Sequence, residues 1–334
     1  EADAHAHAVV TGICRDFPRL HRMPYDSFER RELPVRVIDA FTFFNELDIL
    51  DIRLRELEGV VDKFVLVESA HSHTGLAKNL TFEQHSDQFE RFLDDHIVHV
   101  VLDQLPDAPD HWVRERSQRE GIHRGLEHAA AAPGDLILVS DVDEIPRAST
   151  VRALSWCQGY RTPLQLRSAF FYYSFRHRWT VPAEGGGREP HQWNQPRAIF
   201  VEQMAPPRLT VNHVRYDTGE AMEAAFDASW HLSFWGGEER IKAKLKNYAH
   251  QENNVPEFTN GEAIQKAMNE GHDLFQRGSP HGELTPNDEP YDLPAPVLSD
   301  VVEGLRDKWG GYLPEGFDAE VYVKRGGDGT KQEL

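Results

Sequence analysis

Three carboxylates follow an apolar run in the string "DLILVSDVDEIPR", residues 135–147. Asp141 and Asp143 are separated by one residue, and Glu144 comes next. On a chain that is just leaving a strand, two carboxylates at this spacing can turn toward one cavity. Their oxygens suit Mg²⁺ or Mn²⁺, which keep water molecules and take further ligands from substrate phosphates. The motif therefore indicates a metal site for a phosphate-bearing ligand.

The pattern alone leaves two other interpretations open. The acids could lie in the first turn of a helix, where the helix dipole favours negative charge. A phosphatase of the haloacid dehalogenase type also places a nucleophilic aspartate after an apolar strand. That type usually carries Thr or Val at the position of Ile145.

Strand-like and helix-like segments alternate before the motif and would position it. By hydrophobic period and by their end signals, the predicted strands are 34–44, 62–69, 96–103 and 135–140, and the predicted helices are 46–59, 82–96 and 110–132. This alternation predicts an α/β fold with a mostly parallel sheet and helices on both faces. Ligands gather beyond the carboxyl ends of such strands, where the three acids stand.

The second half of the chain is richer in aromatic residues. Two β-prone runs, 163–179 and 192–204, flank a glycine-rich stretch and predict a long hairpin. Residues 219–228 are predicted as a short helix, 229–235 as a strand or loop, and 236–252 as a basic amphipathic helix. From residue 278 the many prolines, glycines and acids predict an extended, wrapping tail.

Composition excludes several classes of partner. The net charge of −19 repels nucleic acid. A small anionic ligand would therefore need a local positive charge, such as a bound metal ion. The sequence has no apolar run of about 18 residues, so no membrane contact is expected from this chain. A membrane anchor upstream of this sequence is not excluded. With Cys14 and Cys157 as the only cysteines, we expect no disulfide framework and no cysteine-based zinc site.

Several motifs, in a fixed order along the chain, resemble glycosyltransferase family 17. The matching segments are 36–57, 64–82, 115–119, 134–157, 229–235 and 247–252. The family includes enzymes that add the bisecting N-acetylglucosamine of N-glycans. The resemblance implies a catalytic domain at 35–277, with a nucleotide-binding half at 35–147 and a sugar and acceptor half at 148–277. It leaves an N-terminal extension, 1–34, and a tail, 278–334, expected to pack on the domain.

The resemblance also implies a GT-A fold and an inverting, metal-assisted reaction. N-acetylglucosamine would pass from UDP-GlcNAc to a glycan acceptor, with a β-1,4 linkage to mannose. Asp141 and Asp143 would hold Mn²⁺ or Mg²⁺, His231 would complete the metal shell, and Glu144 would bind sugar hydroxyls or hold the loop. From its aromatic surroundings alone, a histidine such as His231 is more often a packed, hydrogen-bonded core residue. A protein with this fold that binds glycans or nucleotide sugars without turnover is the alternative.

The compartment stays undecided. The resemblance implies the Golgi or secretory lumen, and Asn79-Leu80-Thr81 is a glycosylation sequon. Related enzymes carry cysteines where Leu232 and Trp235 stand, so a sulfur contact there is lost. A cytoplasmic location is also possible, because the chain has only two cysteines and this sequence contains no recognisable signal peptide.

The ends of the first two strands and the long helix should form the donor pocket. The candidates are Asn45, Glu46, Glu68, Ser69, Thr74, Gly75, Glu115, Gln118 and Arg119. Carboxylates and amides at such ends can bond uracil or ribose, and Arg119 could bind phosphates in a bidentate manner. Asn45 and Ser69 could instead be turn residues, and Arg119 could instead pair with Glu115 at i, i+4.

Trp193 and Arg197 lie in the predicted hairpin and should roof the sugar, whereas "FFYY", 170–173, is expected in the core. One of Arg240, Lys242, Lys244 and Lys246 in helix 236–252 could neutralise the diphosphate, and most of them could instead form a solvated helix face. An inverting transfer needs a general base near the acceptor hydroxyl. The candidates are Asp217, Glu220, Asp227, Glu238 and Glu239, of which Glu238 is favoured and Asp217 is second.

Overall fold

The computed structural model describes residues 2–93, 95–204, 209–216, 222–278, 282–287, 292–303, 305–309, 311–314, 317–318 and 321. Its strands are β1 Glu29–Arg30, β2 Val37–Phe43, β3 Lys63–Ser69, β4 Ile97–Leu102, β5 Leu136–Asp141, β6 Glu144–Pro146, β7 Cys157–Gln158, β8 Leu164–Tyr172, β9 His177–Pro182, β10 Arg188–Pro190, β11 Gln192–Trp193, β12 Arg197–Phe200, β13 Ala224–Ser233 and β14 Glu283–Pro286.

The α-helices are α1 Ala2–Leu20, α2 Leu47–Leu57, α3 Thr81–Gln84, α4 Glu90–Leu93, α5 His111–Glu120, α6 Ile122–His128, α7 Ala148–Trp156, α8 Val201–Met204, α9 Val211–Tyr216, α10 Glu238–Asn247, α11 Pro256–Thr259, α12 Gly261–Glu270, α13 Ala295–Val302 and α14 Arg306–Trp309. Short 3₁₀ helices lie at Ser86–Phe89 and Gln251–Asn253. Of these helices none is both long and apolar enough to cross a membrane, a finding that covers the described residues.

The first half of the chain forms a parallel sheet in the order β4, β3, β2, β5. All but one residue of β2 are buried, because helices cover both faces of the sheet. One core lies under α2 and α7, and the other lies under α6 and α9. The predicted α/β class, with a Rossmann-like parallel half and helices on both faces, is confirmed.

Close packing of α6 on the sheet depends on Gly125. A Cβ atom at this position would lie 2.1 Å from Cγ1 of Val65 in β3, so only glycine lets the helix approach this closely. The predicted helix 110–132 is divided at Gly121 into α5 and α6. The predicted helix 82–96 consists of α3, a 3₁₀ turn and α4 in its described part.

The second half continues the sheet through β12, which is antiparallel to both β5 and β8. β13 runs parallel to β8 and antiparallel to the short β6. The helix predicted at 219–228 is wrong in its described part, because residues from Ala224 onward belong to β13. The spacing of alanines there resembled a helix, but pairing with β8 on one side and β6 on the other satisfies the backbone as a strand.

The N-terminal helix is fastened to the domain by a disulfide bond. Cys14 in α1 and Cys157 in β7 are joined with an S–S distance of 2.03 Å and a separation of 143 residues. The expectation of no disulfide framework is therefore corrected. The sequence places the two cysteines far apart, and only packing of α1 against α7 brings them together. Phe17 of the same helix is buried in the core.

Described parts of the tail pack on the domain. β14 pairs with β9, and α13 packs against α2. Asp300 of α13 accepts hydrogen bonds from Arg55 at 2.5 Å, Lys308 at 3.0 Å and the Trp309 indole at 3.0 Å. The tail is thus held by a charged cluster as well as by apolar contacts.

Candidate functional site

A cavity of about 730 Å³ opens where β2, β3 and β5 end. The predicted site residues that line it are Glu46, Glu115, Gln118, Arg119, Asp141, Asp143, Glu144, Trp193, Arg197 and His231. Those that do not line it are Asn45, Glu68, Ser69, Thr74, Gly75, Asp227, Glu238 and Glu239. Asp217, the second candidate for the base, and Glu220 lie outside the described residues.

Asp141 ends β5 and is bound by two guanidinium groups. One carboxylate oxygen accepts from Arg119 at 3.1 Å and from the Thr42 hydroxyl at 2.9 Å, and the other accepts from Arg215 at 2.7 Å. Burial alone raises the pKa of Asp141, but the positive charges of Arg215 and Arg119 outweigh it and hold the pKa below its ordinary value. Asp141 is therefore a charged anchor for both arginines.

Glu144 fixes the loop between β5 and β6. Its Oε2 accepts from the Asp141 backbone N–H at 2.9 Å and from Arg215 at 2.8 Å, and its Oε1 accepts from the Trp193 indole at 2.8 Å. The side chain is 1% exposed, so these bonds compensate a fully buried carboxylate. This geometry matches the loop-holding alternative for Glu144, and it also orients Trp193 at the cavity wall.

Asp143 faces the other side of the loop. Its Oδ2 accepts from the Lys244 ammonium at 2.9 Å, and Nε2 of His231 lies 3.8 Å away. Burial raises the pKa of Asp143, but the charge of Lys244 and the neighbouring imidazole of His231 lower it more. In the described residues no three His, Cys, Asp or Glu side chains converge as a ready metal cluster.

Strand pairing delivers His231 to this loop from almost ninety residues later. It pairs with Glu144 across β13 and β6, and the next residue, Leu232, donates its N–H to the Asp143 carbonyl at 2.8 Å. The imidazole stacks on Phe170 with centroids 4.6 Å apart. Its Nδ1 is buried with no hydrogen-bond partner among the described residues.

Gln118 of α5 joins the ends of two strands. Its amide donates to the Phe43 carbonyl at 3.3 Å and to the Val67 carbonyl at 3.1 Å, and its Oε1 lies 2.9 Å from Nε2 of His73. Burial lowers the pKa of His73, which favours the neutral imidazole. Gln118 therefore shapes the cavity wall chiefly as a brace.

Glu115 and Arg119 lie on the same face of α5, as their spacing predicted, and they form an ion pair of 2.8 Å. The pair is the alternative that the sequence left open for Arg119. Arg119 nevertheless also reaches Asp141, and both residues line the cavity.

Glu68 has a different environment from the one predicted. It is bonded by Lys78 at 3.3 Å and by the Phe82 backbone N–H at 3.2 Å, and His99 lies 3.3 Å away. It holds the segment after β3 and contributes nothing to the cavity wall.

Thr74 and Gly75 belong to the turn that follows. The Thr74 hydroxyl lies 2.9 Å from that of Ser72. Gly75 has φ of +84°, and a Cβ there would lie 3.3 Å from the Arg114 guanidinium. Their role in the structure is to shape this turn.

Glu238, the favoured base, is outside the cavity. At the start of α10 it pairs with Lys242 and accepts from Gln265 at 3.0 Å. A hydrogen bond from Lys242 lowers its pKa, which opposes proton uptake. The reason for its position is that α10 turns its first-turn acids away from the cavity while Lys244 points in.

Arg215 is the main functional side chain that the sequence analysis did not single out. It lies on α9, a helix of six residues, and its pKa is raised well above the ordinary value because Asp141 and Glu144 outweigh the effect of burial. Its carbonyl accepts from Gln195 at 2.7 Å and from Arg197 at 3.2 Å. A helix of six residues is too short to show a hydrophobic period, and the sequence therefore offered little by which to identify Arg215.

Glu120 at the end of α5 holds α9 in place. Its carboxylate accepts from the backbone N–H groups of Val211 at 3.3 Å and Asn212 at 3.0 Å, which open α9. Burial raises the pKa of Glu120, but hydrogen bonds from His123 and Asn212 lower it to about 2. The motif "ERSQRE" thus supplies both a cavity arginine and the anchor for a second one.

The chain is similar to known glycosyltransferases. The chain is 32% identical over 154 residues to the β-1,4-mannosyl-glycoprotein 4-β-N-acetylglucosaminyltransferases of Rattus norvegicus and Homo sapiens. The match covers 43% of this chain and 28% of the length of those relatives. A structure of the mannosyltransferase PcManGT from Pyrobaculum calidifontis, in complex with GDP-Man and Mn²⁺, covers 99% of this chain and 90% of its own, at 15% identity and a TM-score of 0.39.

The family assignment rests on a longer match. Residues 18–278 match the sequence model of glycosyltransferase family 17, which is most of the chain and includes every described residue of the cavity. The GT-A type of α/β fold that the resemblance implied is in keeping with the observed sheet. The chain belongs to glycosyltransferase family 17.

Proposed function

We propose that the protein transfers N-acetylglucosamine from UDP-GlcNAc to a mannose-containing glycan, in a metal-dependent, inverting reaction that forms a β-1,4 linkage. The observation that carries this proposal is the loop of Asp141, Asp143 and Glu144, which meets three cationic side chains inside one large cavity. The relatives are β-1,4-mannosyl-glycoprotein 4-β-N-acetylglucosaminyltransferases, which supports the choice of sugar and acceptor.

Arg119, Arg215 and Lys244 are suited to bind the donor diphosphate. All three line the cavity, in a chain whose net charge is −19. Buried Nε atoms of Arg119 and Arg215 have no hydrogen-bond partner among the described residues. The two guanidinium groups therefore keep donor capacity beyond their bonds to Asp141, and they would hold the phosphates as charged hydrogen-bond donors.

Asp143 and His231 fit a divalent cation best. Their Oδ2 and Nε2 atoms are 3.8 Å apart, close enough to reach one ion because such ligand bonds are about 2.1 Å long. Asp141 fits less well, because arginines hold both of its oxygens, so we assign it to positioning Arg119 and Arg215. When bound, the ion supplies a Lewis acid that offsets charge on the departing diphosphate.

The Lys244 ammonium forms an ion pair with Asp143 at 2.9 Å. When the ion binds Asp143, Lys244 would pair with the diphosphate instead. The indole N–H of Trp193 donates a hydrogen bond to Glu144, and its ring offers an aromatic face to the transferred sugar. These residues thus orient the donor and shield it from water.

Asp143→Asn tests the assignment by metal binding as well as by activity. We expect the variant to lose Mn²⁺ binding in the presence of UDP, measured by electron paramagnetic resonance, and to lose release of UDP from UDP-GlcNAc by at least about 100-fold. Asp87→Asn, a change at an exposed acid outside the cavity, is the matched control. Undiminished Mn²⁺ binding and UDP release in Asp143→Asn would refute the metal assignment. Wild-type protein that binds UDP-GlcNAc and never releases UDP would instead favour a binding protein without turnover.

A further inference from the structure

Five aromatic side chains form a continuous wall at one end of the cavity. This aromatic belt consists of Tyr172, Phe234, Tyr248, Phe258 and Phe275, all of which line the cavity. Phe234 is at its centre, with ring centroids 5.7 Å from Tyr172, 6.3 Å from Tyr248 and 5.3 Å from Phe275. Phe258 extends the belt from Phe275 at 5.3 Å.

The belt is only partly explained by core packing. Tyr172 and Phe234 are buried, but Tyr248, Phe258 and Phe275 are only half-buried, and all five line the cavity. Leaving aromatic surface in contact with water forgoes hydrophobic stabilisation. The expectation that "FFYY" lies in the core is confirmed, because all four residues are buried. Alternate residues of β8 face opposite ways, so Phe171 joins the main core, while Phe170 and Tyr172 belong to a second core cluster whose edge lines the cavity.

Polar groups at the belt are neutral or already paired. Asn253 donates to the Tyr248 hydroxyl at 2.8 Å, and Asn247 also lines the cavity. The Arg277 guanidinium is bound to Asp273 at 2.8 Å and 2.9 Å and donates to the Tyr172 hydroxyl at 2.8 Å. This surface suits a neutral ligand that has apolar faces and many hydroxyl groups. A saccharide has both, because the C–H face of a pyranose packs on aromatic rings while amides bond its hydroxyls.

The belt adjoins the charged end of the cavity. The Lys244 ammonium, 2.9 Å from Asp143, lies 5.2 Å from the centroid of Phe234. A saccharide on the belt would thus lie next to Lys244 and Asp143. We propose that the aromatic belt binds the acceptor glycan. This inference rests on the function proposed above and adds the location of the second substrate.

Tyr248→Leu and Phe275→Leu test the proposal, because leucine keeps bulk and removes the stacking face. Phe200→Leu is the matched control, since Phe200 is half-buried outside the cavity, where it stacks on Tyr160. The acceptor probe is a soluble oligosaccharide that contains β-1,4-linked mannose. We expect the acceptor KM to rise about 10-fold or more, while UDP affinity and acceptor-independent UDP release stay within about 2-fold of wild type.

Three other results would overturn the proposal. A rise in the KM for UDP-GlcNAc with an unchanged acceptor KM would assign the belt to the uracil. Unchanged values for both substrates would make it packing alone. Wild-type protein that releases UDP but shows no saccharide contact in saturation-transfer NMR, over a panel of neutral glycans, would also refute it. Absence of UDP release in the wild type would instead count against the proposed function.

Folding is checked by thermal unfolding of each variant. Phe258→Leu, on the short surface helix α11, is the second variant if Tyr248→Leu or Phe275→Leu unfolds early. It should raise the acceptor KM in the same direction, and an unchanged acceptor KM in a folded Phe258→Leu protein would contradict the proposal.

Discussion

At the scale of single residues, the site is a compensated charge cluster. Arg215 is 5% exposed and binds Glu144, which is 1% exposed, together with Asp141. Buried carboxylates tolerate this environment only when paired, because each loses its hydration. The cluster therefore links folding of the loop to the presence of one arginine.

Arg215→Met should destabilise the protein strongly. Removing the guanidinium leaves Asp141 and Glu144 without their shared partner, and breaking such a buried pair costs about 3–5 kcal/mol of unfolding free energy. Urea denaturation of the variant and of Arg161→Ala, a change at an exposed arginine, provides the measurement. Adding Glu144→Gln should restore part of the loss. A stability equal to that of wild type would show that the cluster contributes little.

Glu46 is a further candidate for the general base, because Glu46 lines the cavity and Glu238 does not. Among the described carboxylates of the cavity wall, Asp141, Asp143, Glu144 and Glu115 each bond a side chain, while the hydrogen bonds found for Glu46 come from backbone N–H groups at 2.9 Å and 3.2 Å. Burial raises the pKa of Glu46. Both features suit proton uptake from an acceptor hydroxyl.

Glu46→Gln should lower the kcat of transfer about 100-fold or more and leave UDP binding almost unchanged. Steady-state kinetics together with calorimetric titration of UDP distinguishes the two effects, and Glu127→Gln at an exposed position is the control. Weaker UDP binding with a normal kcat would return Glu46 to the donor-binding role that the sequence predicted.

At the scale of elements, the tail is held on the domain by Asp300, whose pKa differs between the folded and the unfolded protein. Burial raises the pKa of Asp300, but hydrogen bonds from Arg55, Lys308 and Trp309 lower it from 3.8 to about 2. Because the folded-state pKa is the lower one, the stabilisation is complete above about pH 4 and is lost as the pH falls toward 2.

Asp300→Asn isolates this contribution from other acids that titrate in the same range. The difference in unfolding free energy between wild type and variant should be constant from pH 7 to about 5 and should shrink between about pH 4 and 2. Urea denaturation at several pH values measures it. A difference that does not depend on pH would mean that the charge of Asp300 does not hold the tail.

At the scale of the whole molecule, the disulfide bond joins α1 to the body of the protein across 143 residues. A cross-link over so long a segment restricts the unfolded chain strongly, so Cys14→Ser with Cys157→Ser should lower the unfolding free energy by about 2–5 kcal/mol. Reductant should have a similar effect on the wild type and none on the double variant. Equal stability of the two proteins in oxidising buffer would contradict this expectation.

The same bond bears on the compartment. Structural disulfides persist in oxidising compartments, and Asn79 of the sequon is exposed. We therefore expect the native protein to carry a glycan on Asn79, which mass spectrometry before and after deglycosylation would detect.

The sequence by itself determined the α/β class, the strand that ends in Asp141, and the family, because hydrophobic period and ordered motifs are local properties of the chain. It also predicted that Glu115, Arg119 and His231 belong to one site, and all three line the cavity. Only the tertiary structure revealed that Arg215 holds Asp141, that Glu238 faces away, that Cys14 meets Cys157, and that rings from distant segments form the aromatic belt. These features depend on which residues pack together across long separations, and no local pattern encodes that.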